Sequence, residues 1–144
     1  MYLVNTDLSV SCAEKSRRKS APRLTAVELY AGAGGMSLGF KRAGIDVLCA
    51  FDLMKPAVEA YNRNIGYHAV QADLTNLAFH GPSIAAMKPD IIFGGPPCQD
   101  FSPAGARTEG ERANHTRVFA MYVCIASPKW FVMENVQRAR HSKA

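Results

Sequence analysis

Cys98 is the residue of this sequence best placed to act as a nucleophile. It follows Gly94-Gly95-Pro96-Pro97, in which two glycines let the backbone turn and two prolines stiffen it. Before them stands the apolar run Ile91-Ile92-Phe93, with the length and composition of a buried parallel strand. Open α/β sheets place their ligands beyond the carboxyl ends of such strands, so a thiol here is positioned for chemistry. The competing reading is a small buried hydrophobe, a common fate of free cysteine. Three acids, Asp52, Asp73 and Glu134, also close short apolar runs. Asp52 lies twenty residues after Gly32, a spacing at which a carboxylate can accept hydrogen bonds from ribose hydroxyls. Asp73 suits an adenine amino group. Helix capping or turn formation is the alternative for both, but together behind a glycine loop they favour a nucleoside pocket.

The elements that must position these residues alternate between strand and helix. Thr25–Tyr30 reads as a first strand, and Ala31-Gly32-Ala33-Gly34-Gly35 as a loop leading into a helix over Met36–Ala43. Strand, glycine loop and helix form the layout in which backbone N–H groups meet an anionic or polar ligand. The third glycine of a dinucleotide fingerprint falls on Ser37, so that fingerprint is broken. Further strands are expected at Val47–Phe51, Ala69–Ala72, the run before Gly94, and Trp130–Met133. Helices are expected over Lys55–Asn64 and Thr116–Ala126. Residues 76–89 read as a loop with a short helical piece, and 103–115 as a mobile connection. Right-handed crossovers with one reversal after the third strand predict the order 3-2-1-4-5. That is an α/β fold with a Rossmann-like, doubly wound parallel sheet. The glycine loop and the Cys98 loop would then flank one crevice, with Glu134 on the next strand.

The chain of 144 residues has the size of one domain, and 48% hydrophobic with 20% charged residues suits a globular protein. No apolar run is long enough for a membrane span and no signal-peptide pattern opens the chain, so the cytoplasm is the expected compartment. The net charge of +5 divides into +3 over residues 1–23, +3 over 137–144 and −1 between them. Residues 1–22 read as a disordered basic extension and 23–144 as the domain. The four cysteines (Cys12, Cys49, Cys98, Cys124) show no metal-ligand spacing, so no metal is expected. Cys49 and Cys124 lie in apolar runs and read as core.

Three segments carry a resemblance: Tyr30-Ala31-Gly32-Ala33-Gly34-Gly35, Gly95-Pro96-Pro97-Cys98-Gln99-Asp100-Phe101-Ser102, and Phe131-Val132-Met133-Glu134-Asn135-Val136. In order and spacing they resemble the DNA cytosine-5 methyltransferases, over about residues 25–144. The resemblance implies a methyltransferase-type sheet, S-adenosylmethionine as cofactor, and double-stranded DNA with a flipped cytosine as substrate. It makes Cys98 the nucleophile and Glu134 the acid at the cytosine ring nitrogen. It places Tyr30, Gly32, Gly34, Asp52, Leu53, Asp73 and Leu74 around the cofactor, and Pro97, Gln99, Ser102 and Asn135 around the substrate. Asp52 stands where the family more often has Glu, which shortens its reach.

The implied chemistry explains the residue types. Carbon 5 of cytosine is too weak a nucleophile to be methylated directly, but a thiolate added at carbon 6 converts the ring to an enamine. An acid at the ring nitrogen stabilises the charge that this addition creates. Cysteine adds to such a carbon and also leaves it readily.

The family's chains continue well beyond Glu-Asn-Val, and this one reads as truncated after the fifth strand. Three functions follow from that: one subunit of a split methyltransferase needing a second polypeptide, an inactive remnant, or, from another class, a dinucleotide-binding module with a structural cysteine. The DNA target sequence is not legible in these residues.

Overall fold

The computed structural model describes residues 23–97 and 109–135. In chain order the elements are β1 (Thr25–Leu29), α1 (Gly35–Arg42), β2 (Asp46–Asp52), α2 (Lys55–Asn64), β3 (Ala69–Gln71), α3 (Leu77–Ala86), β4 (Ile91–Gly94), α4 (Glu109–Ala126) and β5 (Trp130–Met133). The strands form one parallel sheet in the order β3-β2-β1-β4-β5, the order expected from the alternation of elements. β1 is central, and the chain reverses direction across the sheet between β1 and β4.

Side-chain alternation along β1 sorts the two layers. Val27 and Leu29 face α3 and α4 in a core with Phe51, Ile84, Ile92, Phe119 and Tyr122. Ala26 packs on the other face with Val47, Ile91, Phe93 and the Met36 and Phe40 of α1. Phe40 stacks on Phe93 with ring centroids 3.9 Å apart. Tyr61 of α2 fills the same side with Ala31, Ala50 and Ile65. α2 begins with a proline in its first turn, where no N–H is missed, and Asn62 pins it to β3 through two bonds to Ala69, of 2.9 and 3.0 Å. At the amino ends of the strands Asp90 accepts from the Thr25 N–H at 2.9 Å and from the Lys129 ammonium at 2.7 Å. The Lys129 bond, with those from Thr25, holds the Asp90 carboxyl down at about 2.

Three expectations change. Residues 77–86 form a full helix despite Pro82, where only a short piece was expected. Asn76 caps it by accepting from the Phe79 N–H at 3.3 Å, and Gly81 packs against Ile125 of α4, so tertiary contact outweighs the Gly-Pro signal. α4 starts at Glu109 rather than Thr116, so residues 109–115 are helical and not a connection. Cys49 is buried as expected, but Cys124 is exposed. An apolar run fixes how hydrophobic a helix is, not which of its faces meets the sheet.

Candidate functional site

The site lies over the carboxyl ends of β1, β2 and β4, at the point where the strand order reverses. After β1 the chain must turn sharply into α1, and three successive departures from ordinary backbone achieve this. Tyr30 and Gly32 have left-handed backbone angles (φ +58° and +54°), and Gly34, which caps α1, has φ +90°. Gly34 has no room for a side chain, because a Cβ would strike Tyr61 and Ile65 at 2.7 Å. Gly32 has nothing within 4 Å of that position, so space above the loop is open to a ligand. The α1 N-terminus carries no side-chain cap.

Asp52, at the end of β2, grips this loop. One carboxylate oxygen accepts from the Gly32 N–H and the other from the Met54 N–H, each at 2.8 Å. Each oxygen keeps a second acceptor direction, so paired hydroxyl donors fit beside the loop. Leu53, next in the chain, is 61% exposed. Asp73 follows β3, and there the turn reading applies as well. One of its oxygens accepts from the Thr75 N–H at 2.9 Å and from the Thr75 hydroxyl at 2.6 Å, and these bonds lower its pKa. The other oxygen is the one that a ligand could use. The Leu74 side chain faces the core and its carbonyl accepts from the Tyr122 hydroxyl at 2.9 Å, so only its main chain could meet a ligand.

Tyr30 reaches from the loop to α4, its hydroxyl 3.3 Å from His115 Nδ1 and the two rings edge to face. Burial, with Tyr122 and Asp73 nearby, raises the Tyr30 pKa. On the other flank β4 runs into Gly95. A Cβ there would meet the Glu134 carboxylate at 3.2 Å, and the Glu134 N–H donates to the Gly94 carbonyl at 2.9 Å. The acid at the end of β5 is thus held against the start of the Gly95-Pro96-Pro97 loop. Pro97 is exposed and Asn135 half-buried. Cys98, Gln99 and Ser102 lie outside the described residues. Among the described residues no group of three His, Cys, Asp or Glu could hold a metal ion.

The structure adds a constellation that the reading of the sequence passed over. Glu28 lies in the middle of β1, opposite Ala50 and Phe93, and is 1% exposed. It accepts from the Ser37 hydroxyl. Ser37 in turn accepts from the Tyr61 hydroxyl at 2.7 Å, and that hydroxyl is 2.9 Å from His68 Nε2. Burial, resisted by the bonds from Ser37, pushes the Glu28 carboxyl up to about 7. The available signal was a lone acid inside the strand Ala26-Val27-Glu28-Leu29.

The profile of the C-5 cytosine-specific DNA methylases matches residues 24–144. The Type II methyltransferase M.HgiDI of Herpetosiphon aurantiacus is 47% identical over 118 residues, which are 81% of this chain and 38% of that protein. M.HgiGI of the same organism is 46% identical, over 81% of this chain and 94% of its own sequence. Among solved structures, the S. pombe Dnmt2 methyltransferase superposes with a TM-score of 0.69 at 28% identity, covering 85% of this chain and 37% of that one. A putative DNA modification methyltransferase from an E. coli prophage gives 0.65 at 33% identity, over 78% and 32%. The chain therefore spans well under half the length of most of these relatives, and over the stretch it spans it belongs to the C-5 cytosine-specific DNA methylase family.

Proposed function

We propose that this chain is the cofactor-binding and thiol-bearing part of a restriction-modification enzyme that methylates carbon 5 of cytosine in double-stranded DNA, with S-adenosylmethionine as methyl donor. The observation that carries this reading is the pairing of an open Gly32 loop gripped by Asp52 with an acid, Glu134, set against the Gly95-Pro96-Pro97 loop. The donor set fits the nucleoside part of that cofactor: Asp52 for the ribose hydroxyls, Asp73 for the adenine amino group, Tyr30, Leu53 and the Leu74 main chain around the ring, and Gly32 and Gly34 for close approach. When bound, S-adenosylmethionine supplies an electrophilic methyl group on a sulfonium.

The chain's own residues do the remaining work. Cys98, as thiolate, adds to carbon 6 of a flipped cytosine and later leaves it. Glu134 meets the ring nitrogen and stabilises the charge that this addition creates there, while Pro97, Gln99, Ser102 and Asn135 hold the base. The residues 23–144 act as one domain in this reading, and its place of action is the cytoplasm, where the DNA is. Among the described residues no helix is long and apolar enough to cross a membrane.

In this reading the β5 strand is where a partner polypeptide would pair. Trp130, Phe131, Val132 and Met133 are all exposed there, at 66%, 61%, 43% and 39%. An apolar edge strand of this kind is a surface for pairing. Calorimetric titration of the full chain with S-adenosylmethionine, beside a nicotinamide dinucleotide, tests the reading. Saturable binding of the first and none of the second is the expected result. Binding of the dinucleotide alone would overturn it in favour of a dinucleotide-binding module.

A further inference from the structure

The Glu28 chain is not used by the chemistry above, yet it lies directly beneath the loop that the chemistry needs. Glu28, Ser37 and Tyr61 are each at most 1% exposed, and the line of oxygens ends at the half-buried His68. Ser37 stands in the first turn of α1, and the Tyr61 ring is the surface on which Gly34 rests. The carboxylate therefore controls both ends of the loop's support, the helix start through Ser37 and the Gly34 seat through Tyr61.

Among the described residues, charged and titratable groups from several elements bear on this chain of oxygens. From β2, Asp52 acts on Glu28, and Cys49 acts on Tyr61. From α1 and β2, Lys41 and Asp46 act on His68. β4 presents only the apolar Phe93. Among the described residues no lysine or arginine forms an ion pair with Glu28. The charge that most nearly shares its fate is thus that of Asp52, the group proposed to hold the cofactor.

The hydrogen bonds allow two complete arrangements. With Glu28 ionised, His68 Nε2–H donates to Tyr61, Tyr61 to Ser37 and Ser37 to the carboxylate. With Glu28 protonated, each donor and acceptor reverses, and His68 accepts at Nε2. No bond is lost in either arrangement. Passing from the second to the first moves one proton from the Glu28 oxygen, by three successive hand-overs, onto His68 Nε2. His68 then releases its Nδ1 proton to water, and atoms and charge balance.

We propose that Glu28 is a positioning residue of the cofactor pocket, and that it gives up a proton through Ser37, Tyr61 and His68 when a ligand of net positive charge settles against Asp52. The inference rests on the reading of that pocket as one for S-adenosylmethionine. Burial is the main cause of a protonated Glu28 and Asp52 adds to it; the ligand's sulfonium and ammonium outweigh its single carboxylate, so its arrival beside Asp52 weakens that added repulsion. Its demethylated product has a neutral thioether, and so draws out less of the proton. By linkage, affinity for the charged form rises with pH through neutrality more than affinity for the neutral form. The Glu28 carboxyl, held at about 7, is half-protonated where the exchange would matter.

Calorimetry of the full chain at pH 7 in buffers of different ionisation enthalpy counts the protons. Release of up to about half a proton per S-adenosylmethionine bound is expected, less for the thioether product, and none for Glu28→Gln. Equal release from the wild type and Glu28→Gln would overturn the proposal while leaving the pocket in place. Failure of the wild type to bind S-adenosylmethionine would remove the pocket and the proposal together, which is a different result. Should Glu28→Gln not fold, infrared difference spectra of the wild type decide. A protonated-carboxyl band lost on binding supports the proposal, and a spectrum with no such loss overturns it.

Discussion

Glu28 and Asp52 are two carboxylates with opposite relations to their surroundings, and each makes a separate prediction. Burial raises the Glu28 pKa from 4.5 to about 7 in the folded chain, so between those values the folded state holds more protons than the unfolded one. Stability from this group is complete below pH 4.5 and is lost as pH rises to 7, by an amount on the order of 3 kcal/mol. His68 has a lowered pKa and acts in the opposite sense, adding stability as pH rises past its range. Denaturant unfolding of wild type and Glu28→Gln at pH 5 and 7.5 isolates the Glu28 contribution together with its coupling to His68. The variant is expected to lose less stability on going to pH 7.5. Asp52→Ala leaves the Gly32 and Met54 N–H groups without their acceptor and is expected to weaken S-adenosylmethionine binding by roughly 1–3 kcal/mol, read by titration. Cys98→Ser is expected to abolish methylation in any assembly that shows it and to leave cofactor affinity nearly unchanged, which paired turnover and binding assays check.

At the scale of elements, the loop after β1 and the loop after β4 depend on glycines for different reasons. A Cβ on Gly94 would fall on the Leu29 carbonyl oxygen, which is fixed in the β1–β4 ladder and cannot yield. Gly94→Ala is therefore expected to lower the melting temperature sharply, whereas Gly39→Ala, with open space around it, is expected to leave it unchanged or raise it slightly. Thermal unfolding of both variants checks this contrast. The five strands and their order were legible because each apolar run is short, is bounded by turn residues, and alternates with a helix-length segment. α3 was not legible, since Gly81-Pro82 signals a break that only its packing on α4 overrides. Asp52 and Glu134 were legible as acids closing short strands, and the structure sets them beside the Gly32 and Gly95 loops. Glu28 and His68 escaped notice because a hydrogen-bond chain across β1, α1, α2 and the approach to β3 has no signature in sequence spacing.

At the scale of the molecule, the two edges of the sheet differ among the described residues. The short β3 gives one edge only three residues of unpaired backbone, while β5 offers four exposed apolar side chains on the other. Self-association through β5 is the expected behaviour of the isolated chain at high concentration. Phe131→Lys, a change at a 61% exposed position, should reduce it, and sedimentation velocity at several concentrations reads the shift.

The central place of β1 also sets a timetable. Its β2 flank can be paired once the first two strands exist, but its other flank waits for β4, whose partner residues stand sixty-five positions later in the chain. A ribosome adds that many residues in roughly 3–13 s, far longer than a helix takes to form. Throughout that interval the strand that ends as the most interior part of the molecule is an open edge. The nascent half-sheet of β1, β2 and β3, with the buried acid already in place on its middle, is thus the species that a chaperone would meet.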